Sequence, residues 1–151
     1  MTTPIGELIS PENVSLDVDV RTRDELLLAA AERLAPRAGV AAREVYEQLR
    51  SRERLGSTAL GHGIALPHAR MPITRPVAAF LRTHAGIEFV APDGRPVRYF
   101  LALLVPAEAI ERHLALTACA ARQFADPGFR ARLRAASLPS EIVDLFAELP
   151  A

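Results

Sequence analysis

Apolar residues recur with helical spacing at both ends of the 151-residue chain and gather into short, nearly unbroken runs in its middle. The first readable element begins at Thr22, where Thr22-Arg23-Asp24-Glu25 has the form of a capping box ahead of the apolar stretch Leu26 to Leu34. Pro36 is expected to stop that helix, because proline brings no N–H to the ladder. A second helix is predicted from about Ala41 to Arg54 by the stripe Val45, Tyr46 and Leu49, with Gly56 placed to close it. Three glycines between Gly56 and Gly63 then predict a turn or a tightly approached backbone.

Ile64-Ala65-Leu66 reads as a short buried strand ended by Pro67, with His68 directly after it. Val77 to Arg82 and Val97 to Val105 read as further strands, and the continuous run Tyr99 to Val105 suits a strand covered on both faces. Asp93-Gly94 marks a turn between them. Helical spacing returns after Pro106, from about Ala107 to Ala125, and two shorter helices are predicted over Pro127 to Ala136 and Ser140 to Leu149. Helices at both ends with short strands between them predict an α/β fold: one domain over residues 1–151, a sandwich with a central mixed β-sheet flanked by helices on both faces.

Composition narrows the function more than the fold. Eighteen acidic residues balance eighteen basic ones, so no net field favours nucleic acid or an anionic membrane. Every basic residue is arginine, so any long cationic side chain that meets a phosphate must meet it as a guanidinium fork. The single Cys119 excludes an intrachain disulfide and a thiolate zinc cluster, and fits a reducing, cytoplasmic setting. No apolar run reaches the length of a membrane span, so no membrane insertion is expected. The Gly-rich stretch matches neither the phosphate loop nor the dinucleotide fingerprint, and nucleophile-elbow and His-Glu-x-x-His patterns are missing, so no cofactor or metal is expected.

Of four histidines, two stand in equivalent places: His68 after one proline-ended strand, and His113 early in the helix that follows the other. Neighbouring strands pointing the same way would bring both imidazoles to one rim of the sheet. His113 shares a helical stripe with Leu116, Ala120 and Phe124, which turns it toward the sheet. Taken singly, a histidine after proline is most often a surface-loop residue, and one on an apolar stripe a core residue. His62 between glycines reads as a turn residue and His84 as an exposed loop residue.

Residues 51–70 run Ser-Arg-Glu-Arg-Leu-Gly-Ser-Thr-Ala-Leu-Gly-His-Gly-Ile-Ala-Leu-Pro-His-Ala-Arg. This stretch resembles the signature of the mannitol, fructose and nitrogen-related (type-2) enzyme IIA domains of the bacterial phosphotransferase system. The likeness extends to Leu101 to Ala107 and to His113-Leu114. It implies a phosphotransferase component that carries a phosphoryl group on His68, with His113 as a second active-centre histidine and Arg52 as the active-site arginine. Ser57, Thr58 and Arg70 are further candidates to stabilise the phosphate. The implied donor is the histidine-containing phosphocarrier protein, and the implied acceptor an enzyme IIB domain or a regulatory target protein. The regulatory branch is favoured over sugar uptake. A sensory or interaction domain of the same fold, never phosphorylated, is the alternative. Three positions depart from the family pattern: His62 where asparagine is common, Ala69 where glycine is usual, and Arg70 where lysine is common. Ile64, Leu66 and Met71 are candidates for an apolar rim that docks the donor.

Overall fold

The computed structural model describes residues 4–148. The strands are β1 (Val14–Val18), β2 (Ala59–Gly61), β3 (Ile64–Ala65), β4 (His68–Met71), β5 (Val77–Ile87) and β6 (Val97–Pro106). Helices α1 (Arg23–Ala38) and α2 (Ala42–Leu55) come between β1 and β2, and α3 (Ile110–Ala125), α4 (Pro127–Ala135) and α5 (Pro139–Ala147) follow β6. The six strands form one mixed sheet in the order β1-β5-β6-β3-β2, with β4 also paired to β6. No helix among the described residues is long and apolar enough to cross a membrane.

The sheet divides two cores. Phe100, Ala102 and Leu104 of β6 pack with α1 and α2, while Tyr99, Leu101, Leu103 and Val105 pack with α3, α4 and α5. Period-two alternation on a strand apolar on both faces therefore gives the α/β sandwich expected from the run 99–105.

The capping box forms as predicted: the Thr22 hydroxyl accepts the Glu25 N–H at 3.1 Å, and the Glu25 carboxylate accepts the Thr22 N–H at 3.1 Å. Pro36, however, does not end α1. It lies inside the helix, and the left-handed Gly39 (φ 71°) closes it. Pro36 and Glu32 are both exposed, so the Glu32 carbonyl that loses its N–H partner faces water instead of a dry core. Helix α3 starts at Ile110 instead of Ala107, because residues 106–109 form a turn in which the Ala107 N–H donates to the Met71 carbonyl at 2.8 Å. Leu149, the expected end of the last helix, lies outside the described residues.

The turn expected in the Gly-rich stretch is present, while the neighbouring strands differ in part from the expectation. Strand β1 has no counterpart in the sequence reading. The Gly-rich stretch forms a hairpin of β2 and β3, with His62 (φ 57°) and Gly63 (φ 77°) as its left-handed turn. The strand before His68 ends at Ala65, one residue short of the expected Leu66, and pairing resumes directly after Pro67. Ile64 pairs with Tyr99 and His68 with Leu103 at the same offset, so β3 and β4 form one strand interrupted at Leu66-Pro67. The Pro67 carbonyl still accepts the Leu103 N–H at 2.9 Å, so the missing Pro67 N–H costs one rung toward β6 at the interruption and pairing continues beyond it. His84 is exposed as expected, but it lies in β5, which continues beyond Arg82 to Ile87.

Candidate functional site

His68 is the first residue of β4, at the break in the edge strand, and is half-buried. Its Nδ1 lies 2.7 Å from the Leu66 carbonyl oxygen. A carbonyl only accepts, so the ring proton sits on Nδ1 and the lone pair is left on Nε2. The parallel pairing of β3 and β4 with β6 carries the chain past Pro106 to α3, which brings His113 opposite. The two imidazole centroids are 5.0 Å apart and meet edge to face at 71°. The two histidines singled out in the sequence therefore share one site, although His68 lies within a strand and not in a loop.

Burial holds the His68 ring below its ordinary value of 6.5; the Leu66 hydrogen bond opposes this, and the Arg52 charge adds to it. His113 is lowered as well, by burial first and then by the charges of His68, Arg70 and Arg52. Near pH 7 both rings are neutral, which is the state a nucleophilic imidazole needs.

Arg52 stands in the last turn of α2 and donates Nη1 to the Gly56 carbonyl at 2.8 Å. Arg52, His68 and His113 line both of two adjoining open cavities of about 710 and 620 Å³. Arg70 lines the first, and Ser57 and Thr58 the second. All six candidate residues thus border one depression. The two hydroxyls are already engaged: Ser57 Oγ donates to the Phe89 carbonyl, and Thr58 Oγ1 donates to Glu53 at 2.7 Å. A separate cavity of about 760 Å³ lies around Arg37, Arg75 and Arg112. It is slightly larger, but no histidine lines it, so chemistry and not volume picks out the site.

Of the three rim candidates only Leu66 lines the depression. Ile64, Leu66 and Met71 are all buried. The large exposed apolar side chains that line the depression are Leu55 (87%), Leu114 (63%) and Leu60 (42%). Leu114 directly follows His113 and Leu55 directly precedes Gly56, so adjacency to the motif was the signal available in the sequence. Glu53, which no sequence pattern singles out as a site residue, is buried and bonded to Thr58. His62 lies on the hairpin turn, and its N–H donates to Asp93 at 2.9 Å. Its backbone is left-handed (φ 57°), a conformation that asparagine tolerates better than most residues.

Residues 7–149 match the family described as "Phosphoenolpyruvate-dependent sugar phosphotransferase system, EIIA 2". The chain is 34% identical over 149 residues to a nitrogen regulatory protein of Bradyrhizobium diazoefficiens, covering 98% of this chain and 97% of that one. The crystal structure of nitrogen regulatory protein IIA-Ntr from Neisseria meningitidis superposes with a TM-score of 0.91 at 34% identity, over 94% of this chain and 98% of that one. The fold is also that of the mannitol IIA of Escherichia coli, solved in complex with phosphorylated enzyme IIB, at a TM-score of 0.78 and 21% identity over 92% and 96% of the two chains.

Proposed function

The chain belongs to the EIIA 2 family of the phosphoenolpyruvate-dependent sugar phosphotransferase system, and on that premise we propose that it is a phosphocarrier whose acceptor atom is Nε2 of His68. One observation carries the assignment: the His68 proton is pinned at Nδ1 by the Leu66 carbonyl, while Nε2 has no hydrogen-bond partner among the described residues.

In the transfer, the Nε2 lone pair attacks phosphorus as the N–P bond of the donor phosphohistidine breaks and its electron pair returns to the donor imidazole. The Nδ1 proton stays on His68, where the Leu66 carbonyl stabilises the positive charge the ring gains. Because the transition state is loose, the demand on the protein is for position and countercharge and not for a strong base. Arg52 supplies a guanidinium at the last turn of α2, and Arg70 a second cation on the same depression. His113, neutral and edge-on to His68, fixes the ring plane and offers a donor to the phosphoryl oxygens. Ser57 joins them if its hydroxyl leaves the Phe89 carbonyl for the incoming phosphoryl group.

The donor is the histidine-containing phosphocarrier protein. The near end-to-end likeness to nitrogen regulatory proteins favours a regulatory target downstream over a sugar permease. The alternative acceptor is an enzyme IIB domain, the partner with which the mannitol IIA was solved.

Incubation with phosphoenolpyruvate, enzyme I and the histidine-containing phosphocarrier, followed by intact mass, tests the reading. The expected result is one acid-labile phosphoryl group on the wild type and none on His68→Ala. A wild type that takes up no phosphoryl group from competent donors would return the chain to the unphosphorylated interaction domain.

A further inference from the structure

Glu53 is buried, at 4% exposure, in the last turn of α2, where the negative end of the helix works against a carboxylate. A carboxylate in such a place persists only if donors satisfy it. Thr58 supplies two: its N–H donates to Oε2 at 2.7 Å and its hydroxyl to Oε1 at 2.7 Å. Both are charge-assisted, and together they clamp the end of α2 to the residue that opens into β2.

The clamp reaches the site by two routes. Arg52, adjacent to Glu53, donates to the carbonyl of Gly56, which lies inside the loop that Glu53 and Thr58 close. The Gly56 N–H in turn donates to the Glu53 backbone carbonyl at 3.3 Å. On the other side, the Thr58 carbonyl accepts the Leu66 N–H at 3.0 Å, and the Leu66 carbonyl accepts the Nδ1 proton of His68. Two hydrogen bonds therefore separate Thr58 from the acceptor imidazole. The hydroxyl of Thr58 has one proton, and it goes to Glu53.

We infer that Glu53 and Thr58 form a positioning pair that sets the ring tautomer and orientation of His68 and the placement of Arg52. Thr58 serves the phosphoryl group through the backbone it holds, not through its hydroxyl. The kinetic part of this inference rests on His68 being the phosphoryl acceptor; the tautomer part does not.

The test begins with the unphosphorylated wild type. Ring ¹⁵N shifts of His68, recorded above the pKa of the ring, should report the Nδ1–H tautomer; an Nε2–H tautomer overturns the inference. Thr58→Val then replaces only the hydroxyl by a methyl group, and Glu53→Gln only one carboxylate oxygen by an amide. Each should shift the ring toward a tautomer mixture. Each should also lower kcat for transfer from the phosphorylated donor roughly ten- to a hundredfold, the scale on which supporting hydrogen bonds act at preorganised sites. KM for the donor should stay unchanged, because both side chains are buried, and Thr58→Ser should restore kcat. Thr58→Val with a native spectrum, an unshifted tautomer and an unchanged kcat overturns the inference, even if Glu53→Gln fails to fold. A wild type that shows the Nδ1–H tautomer but takes no phosphoryl group defeats the functional reading and leaves the tautomer result standing.

Discussion

At the scale of single residues, the site is a compromise between burial and ionisation. His68 and His113 both have pKa values held below 6.5, so each binds a proton more weakly in the folded chain than in the unfolded one. The stability that follows from this is complete above the unfolded value and is lost as pH falls through the folded one. The unfolding free energy should therefore drop as pH falls through and below the ordinary histidine value of 6.5, as measured by urea titration at each pH. His68→Gln should flatten that dependence more than His113→Gln, because His68 is the more deeply buried. An equal slope in the wild type and His68→Gln would contradict the assignment of burial as the leading cause. The same lowering keeps the His68 ring neutral near pH 7, so on the proposed reading one desolvation effect serves both the chemistry and the pH dependence of the fold.

At the scale of elements, what the sequence hides is where the backbone leaves its regular period. β1 reads Val14-Ser15-Leu16-Asp17-Val18, an alternation that ought to announce a strand. Yet Val14 packs with the core on the side of α3 and Val18 with the core on the side of α1, because the left-handed Asp17 (φ 58°) shifts the register against β5. A pattern that switches faces within five residues has no single period to detect. The 3₁₀ turn at Pro11–Asn13 before it is equally silent, since its anchor is the Asn13 side chain donating to the distant Ala78 carbonyl at 2.6 Å. By contrast, the helices, the run 99–105 and the meeting of His68 with His113 were legible, because each depends on local spacing or on one parallel pairing. The sequence pattern predicts that β5 ends at Arg82, because Thr83-His84-Ala85-Gly86 resembles a loop. Gly86 is in fact required inside the strand: a Cβ there would lie 2.7 Å from Pro96 Cβ. Gly86→Ala should cost about 1–3 kcal/mol, the usual range for forcing a methylene into filled space. Thermal denaturation checks this, and a Tm unchanged from the wild type would mean that the β5–β6 connection yields freely.

At the scale of the whole molecule, the depression lies on the seam between the two layers that the sheet separates. Arg52 comes from the α1–α2 layer, His113 from the α3 layer, and His68 from the strand between them. The exposed apolar side chains follow the same seam: Leu55 ends α2, Leu60 lies on β2, and Leu114 stands on α3. Side chains that exposed contribute little to the core, so selection for folding does not account for three leucines around one pair of histidines. On the proposed reading a protein donor brings its own histidine to His68, and an apolar collar with two cations inside it is suited to exclude water around the transferred group. Leu55→Glu and Leu114→Glu should therefore raise KM for the phosphorylated donor by about tenfold, equivalent to about 1.4 kcal/mol of docking energy. Saturating kcat and Tm should stay close to the wild type, the reverse of the pattern expected for Glu53→Gln and Thr58→Val. Steady-state transfer over a range of donor concentrations separates the two. If the leucine variants lose kcat at an unchanged KM, the collar belongs to the catalytic arrangement and not to the docking surface, and the donor must dock on other parts of the molecule.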